Sequence, residues 1–338
     1  MTAPTLERLN QAYLDVIEGR LDRRALLLMA RSFGISAGGM MVLAKVKPAF
    51  AQDASPVASP AADLSYTSIT AAEAEAQLLA DFPMSDAATT GGTVILGNAV
   101  GLSTTNVALS ADFPTQPLMA MVNEPLLVAN PKDAQWVPGL AEQWEIAPDG
   151  KTYTFHLRRD VTWHDGTPFT ADDVIFSMDM MSAPDSPSLN GSSFAASVAS
   201  HRKIDDYTVE AVASSVAAQV VFLTGMNLWI LPKHIWEGVP YADWKTDGGS
   251  TGEDPARVVG PGAIKLTGFD ISTGVATFEG FDDYYGKVPY LDKILLQTWP
   301  DLTTSVEALR AGQVDVILGQ VPPTDANSLK DEPGFTVG

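Results

Sequence analysis

VPGLAEQWEIAPDGKTYTFHLRRDVTWHDGTPFTADDVIFSM, residues 137–178, carries the reading of the fold. Pro138 to Trp144 is a short apolar approach, and Asp149 with Gly150 forms a turn. Tyr153, Phe155 and Leu157 then alternate with polar residues, as a strand with one buried face does. His164, Asp165 and Gly166 make a second turn. Thr170 is placed to cap a helix, with Asp172 and Asp173 setting negative charge against the positive end of its dipole. Val174, Ile175 and Met178 give that helix an apolar face.

A second block near the C-terminus carries a pattern of its own. VVGPGAIKLTGFD leads into FEGFDDYYGKVPYLDKILLQTWPDLTTSVEALRAGQVDVI, residues 258–317. Asp301 caps a helix whose apolar Val306 and Leu309 lie three apart, Gly312 offers a left-handed stop, and Val314 to Leu318 reads as a buried strand. From Val94, Ile95 and Leu96 onward the chain alternates short strands, Gly and Pro punctuation and short helices, without an internal repeat, which reads as an α/β architecture with mixed sheets.

Taken together, the two blocks strongly resemble the peptide and nickel type (family 5) of extracellular solute-binding protein, the capture subunit of an ABC importer. The resemblance implies an α/β, periplasmic-binding-protein-like (type II) two-lobe fold with mixed sheets, closing on a solute without covalent chemistry. It also implies that the second lobe is incomplete, since the chain stops soon after the second block. A surface meant for that lobe would then be exposed and apolar. The implied partners are a peptide or other small solute, the ABC permease and its ATPase. The implied ligand-binding candidates are the strand end at Asn98, Asn123 and Glu124 in VNEPLL, Asn227 and Trp229 in NLWILPKHIWE, and Pro261 and Gly262. At two of these the chain departs from the family pattern. The usual Gly-Thr-Gly-Pro-Tyr is here Gly260, Pro261, Gly262, Ala263, Ile264, and Asn123 stands where relatives often carry an aromatic.

The N-terminus reads as an export signal over residues 1–51. Arg23 and Arg24 precede Ala25, Leu26 and Leu27, the run from Ser32 to Ala44 is apolar and small, and Ala49-Phe50-Ala51 supplies a cleavage pattern. The paired arginines resemble a twin-arginine signal. Residues 52–90 read as an Ala-, Ser- and Pro-rich linker followed by a short helix from Thr70 to Asp81, with Thr70 and Glu73 in capping-box spacing. Residues 91–338 are then the N-terminal part of the solute-binding domain.

Charge and composition exclude several functions. The formal net charge is -20, from 41 acids against 21 bases, which repels nucleic acid and anionic lipid. The absence of cysteine removes any disulfide framework and any lipid-anchored Cys, so the exported chain either diffuses freely in a periplasm or extracellular space or is tethered by an uncleaved signal. His156, His164, His201 and His234 show no metal-ligand spacing, and His164 reads as a structural residue of its turn. Asp172 and Asp173 read as helix-capping residues before an acid/base pair. No nucleophile elbow, phosphate loop or dinucleotide fingerprint is present, so neither catalytic residues nor cofactors are expected. The competing readings are an exported hydrolase, which would need two carboxylates across a cleft, and a non-binding remnant with an interaction or sensory role.

Overall fold

Alternation over residues 152–157 produces the strand it predicts. In the computed structural model, which describes residues 66–67, 90–110, 115–129, 136–216, 228–319 and 321–335, β6 is Thr152–Leu157, with Tyr153, Phe155 and Leu157 buried. The export signal with Arg23, Arg24, Ala49 and Ala51, the helix expected from Thr70 to Asp81, and Asn227 lie outside the described residues.

Two five-stranded sheets organise the described residues. The first has the order β1-β5-β6-β8-β7 and is antiparallel throughout, built from β1 (Tyr66–Thr67), β5 (Ala141–Ile146), β6, β7 (Val198–Asp205) and β8 (Thr208–Ala213). Its β5–β6 turn is fixed as the sequence implies. The Asp149 carboxylate accepts from the N–H groups of Lys151 and Thr152 and from the Thr152 hydroxyl, and Gly150 takes φ 66°. Helix α2 (Ala171–Ser182) buries Val174, Met178 and Met181 in the same cluster as the inward residues of β6 and β8. Thr170 and Asp173 form a complete capping box at its start. Each of these large apolar side chains contributes about 1.5–3 kcal/mol on burial.

The second sheet has the order β12-β2-β11-β10-β9 and is mixed. Strand β2 (Thr93–Asn98) lies inside the edge and runs parallel to both β11 (Lys293–Thr298) and β12 (Val316–Ile317), whereas β10 (Val275–Gly280) and β9 (Ile264–Asp270) continue antiparallel. The β2–β11 register aligns Asn98 with Thr298, so two parallel strands end level with one another. Four of the five strands of the first sheet, β5 to β8, lie in the sequence between them. Helix α6 (Leu302–Arg310) crosses from β11 to β12, capped by Asp301 through the Thr304 N–H and followed by Gly312 at φ 68°.

One expectation is corrected here. Val314 to Leu318 is not a buried strand: only Val316–Ile317 pairs, Val314 alone is buried, and Val316 is 44% exposed. As the edge strand, β12 has only β2 beside it among the described strands. An apolar run there reports the packing of Val314 against Gly97, where a Cβ would come within 2.8 Å of Val314 Cγ1.

Candidate ligand cleft

In open α/β sheets solutes bind beyond the carboxyl ends of parallel strands. At that end of β2 and β11 lies an open cleft of about 600 Å³, within the size range of ligand pockets. Three segments, with Thr251 and Phe269 beside them, wall it: Gly101–Ser103 after β2, Thr298–Pro300 after β11, and the β9–β10 turn from Ile271 to Gly274. The Trp299 N–H donates to Asn98 O at 2.7 Å, tying the two strand ends together. The Thr298 hydroxyl donates to Gly274 O at 2.9 Å, tying strand end to turn. Gly274 has φ 68°, and a Cβ there would fall 2.7 Å from Thr298 Oγ1, so the turn can seat only glycine this closely. Asp270 holds the turn from inside, accepting from the Ser272 hydroxyl at 2.6 Å and the Ser272 N–H at 2.9 Å. Those bonds keep its carboxyl below the usual carboxylate range. No residue lining the cleft is titratable.

Two polar groups at this strand end are sealed from solvent without a partner: Asn98 Nδ2 and Trp299 Nε1. Asn98 is 2% exposed. Trp299 is only half-buried, so the part of its indole that reaches the cleft is carbon.

A second constellation forms a packed junction. Helix α1 (Thr115–Val122) ends against the Gly260–Gly262 loop, where the Gly262 N–H donates to Val122 O at 3.0 Å and a Cβ on Gly260 would stand 1.9 Å from that same oxygen. His164 clamps the loop from its other side. Its N–H donates to Gly260 O at 3.0 Å, its Nδ1 accepts from the Gly260 N–H at 3.3 Å, and its Nε2 bonds Gly262 O at 2.9 Å. An Nδ1 acceptor leaves the ring proton on Nε2, so the neutral imidazole is satisfied at both nitrogens. Burial, opposed by the Gly262 bond, lowers its pKa to about 4. The expected structural role is therefore present, but its partners are a loop almost a hundred residues away in sequence rather than its own turn.

Beside the junction, Glu124 receives hydroxyl bonds on both carboxylate oxygens, from Tyr284 at 2.6 Å and from Tyr285. The Arg158 guanidinium lies 4.5 Å from the Tyr285 ring centroid and donates to Gly139 O. Burial pushes the Glu124 carboxyl above its ordinary range, against the lowering effect of the two tyrosine bonds and Arg158. Burial and the Glu124 charge together hold both tyrosine protons in place.

The structure thus divides the residues nominated from sequence. Asn98 lies at the cleft end of β2. Asn123, Glu124, Trp229, Pro261 and Gly262 converge on the junction: Pro125 bridges to Trp229, and the buried Asn123 amide donates to Met119 O at 3.1 Å. The small cavities bordering Asn123 and Trp229 each hold about 10 Å³, which is room for a water and nothing larger. Sequence reasoning passed over Thr298, Trp299 and the Ile271–Gly274 turn. The signal was present, since LLQTWPD places a strand end directly before a helix cap, the arrangement of a ligand-facing βα junction.

Asp172 and Asp173 do not form a pair: Asp173 accepts from Thr170 and Lys233 N–H groups, while Asp172 meets Lys203 Nζ at 3.1 Å on the surface. No group of three or more metal-ligating side chains occurs among the described residues.

One antiparallel and one mixed sheet, with a cleft at the parallel-strand ends of the mixed one, define part of a type II periplasmic binding fold. The oligopeptide-binding protein AppA from Bacillus subtilis, solved with a nonapeptide, superposes with a TM-score of 0.66 at 26% identity, over 72% of this chain and 46% of that one. The model for "Bacterial extracellular solute-binding proteins, family 5 Middle" matches residues 135–337, and the chain belongs to this family. Its members are binding proteins, not enzymes, and work outside the cytoplasm. The dipeptide-binding protein of Escherichia coli (strain K12) is 29% identical over 60% of this chain and 41% of its own length. Heme-binding protein A of Haemophilus influenzae is 30% identical over 54% of this chain and 35% of its own. The chain therefore spans less than half the length of these relatives.

Proposed function

We propose that this chain belongs to the substrate-binding subunit of an ABC importer, capturing peptides or related small solutes outside the cytoplasmic membrane for delivery to a permease and its ATPase. The observation that carries this reading is the cleft at the level ends of β2 and β11. A family whose relatives include dipeptide- and oligopeptide-binding proteins supports peptides as the solute class. Arg23 and Arg24 direct export, and cleavage after Ala51 releases the mature chain.

In this reading the cleft residues meet the solute, and the junction of Asn123, Glu124, Trp229, Pro261 and Gly262 holds the cleft walls in register. A solute held in this open cleft keeps part of its surface in water, so affinity for short peptides is weak. Calorimetry with a set of di- and tripeptides tests this. Saturable heat that Trp299→Ala removes, with the fold retained, supports the reading; binding unchanged by that substitution contradicts it.

A further inference from the structure

The hydrogen-bonding polarity of the cleft says which end of a solute it accepts. Four of its five lining hydroxyls direct their protons inward, and the fifth, Ser103, shares a 3.4 Å contact with the Thr115 hydroxyl in which either oxygen can donate. Thr298 donates to Gly274 O at 2.9 Å and Ser272 to the Asp270 carboxylate at 2.6 Å. Thr251 and Thr273 are directed at the Gly248 and Asp270 carbonyls, both at 3.5 Å. A hydroxyl that donates inward presents only lone pairs outward. The two unpartnered N–H groups nearby, on Asn98 and Trp299, are sealed from solvent and offer a solute nothing. No lysine, arginine or histidine lines the walls, and the nearest fixed charge of the turn is the Asp270 carboxylate. An anion entering here would lose water and find no cationic side chain, with four of the five hydroxyls turned inward. A group carrying N–H or O–H protons would find acceptors on two sides, with indole carbon from Trp299 to stack against.

Resting on the solute-binding reading, we propose that this cleft is a donor-selective subsite: it takes the amide-, ammonium- or hydroxyl-bearing end of a solute and rejects a carboxylate. A peptide would then enter with its carboxyl terminus directed away from Thr298 and Ser272.

Triglycine amide and N-acetyltriglycine differ in this respect while sharing a backbone, and their dissociation constants can be read from chemical shifts of the Trp299 indole N–H. We expect the amide to bind about tenfold more tightly, the factor for one hydrogen-bonding group left unmatched. The preference should survive in about 0.5 M salt, where the Debye length shrinks to roughly 4 Å and repulsion by the chain's overall negative charge is screened. Thr298→Val removes an outward acceptor without altering net charge and should shrink the ratio toward unity. Equal or tighter binding of N-acetyltriglycine, or a preference that vanishes in salt, overturns donor selectivity while leaving the solute-binding reading in place. Binding of neither probe overturns both.

Discussion

His164 shows how one residue can hold a loop in place and make the molecule sensitive to acid. Its neutral ring accepts from Gly260 and donates to Gly262, and a second ring proton would face the Gly260 N–H. The folded pKa of about 4 lies below the ordinary 6.5, so between these values the unfolded chain binds the extra proton and the folded one does not. Stability from this site is complete above pH 6.5 and declines as pH falls toward 4, by about 3 kcal/mol in all. Asp165 opposes that loss and Lys265 adds to it. Thermal melts from pH 7.5 to pH 4 should therefore show a steeper fall for the wild type than for His164→Gln, whose amide can make both bonds without titrating. Parallel curves would remove His164 as the source. The sequence showed that this histidine was structural, because a His-Asp-Gly turn has no metal-ligand spacing. It could not show the partner, because nothing local in either segment encodes a contact between residues 164 and 260.

Elements were legible wherever a local signal was sufficient. The alternation of Tyr153, Phe155 and Leu157, the Thr170 and Asp301 caps and the Gly312 stop all depend on neighbours within a turn or two, and all are present. Val314 to Leu318 failed because a run of apolar residues does not say whether its strand is central or at an edge. The Gly260–Gly262 loop is the opposite case, in which the glycines are visible but their reason is tertiary. A side chain at Gly260 would meet the Val122 carbonyl at 1.9 Å, backbone against backbone, with no flexible end to move aside. Gly260→Ala should destabilise the fold by about 3 kcal/mol or more, as overpacking against fixed backbone does. Gly238→Ala, with nothing within 4 Å of its added Cβ, should fall within about 1 kcal/mol of wild type. Chemical denaturation of both variants checks this, and equal midpoints would mean that α1 and the loop separate at little cost.

At the scale of the molecule, the resemblance located the family before any geometry was available, while the position of the cleft required the sheet. Asn98 and Trp299 are about two hundred residues apart and meet only because β2 and β11 pair in parallel register. The candidate segments around Asn123 and Trp229 do come together, as a junction filled by their own side chains. The route to the outside is tested separately: replacing Arg23 and Arg24 with lysines should leave precursor in the cytoplasm, and unchanged export with a mature chain beginning near Gln52 would point to a general secretory signal instead.

Solute is proposed to meet this chain beyond the carboxyl ends of β2 and β11. A titration of isotope-labelled protein with short peptides, followed by amide and indole N–H shifts, addresses it most directly because it detects even millimolar binding. Saturable shifts are expected at Gly101–Ser103, Ile271–Gly274 and Trp299, with the indoles of Trp163 and Trp229 unmoved. Shifts confined to Asn123, Trp229 and Gly260–Gly262, with the cleft residues silent, would contradict it.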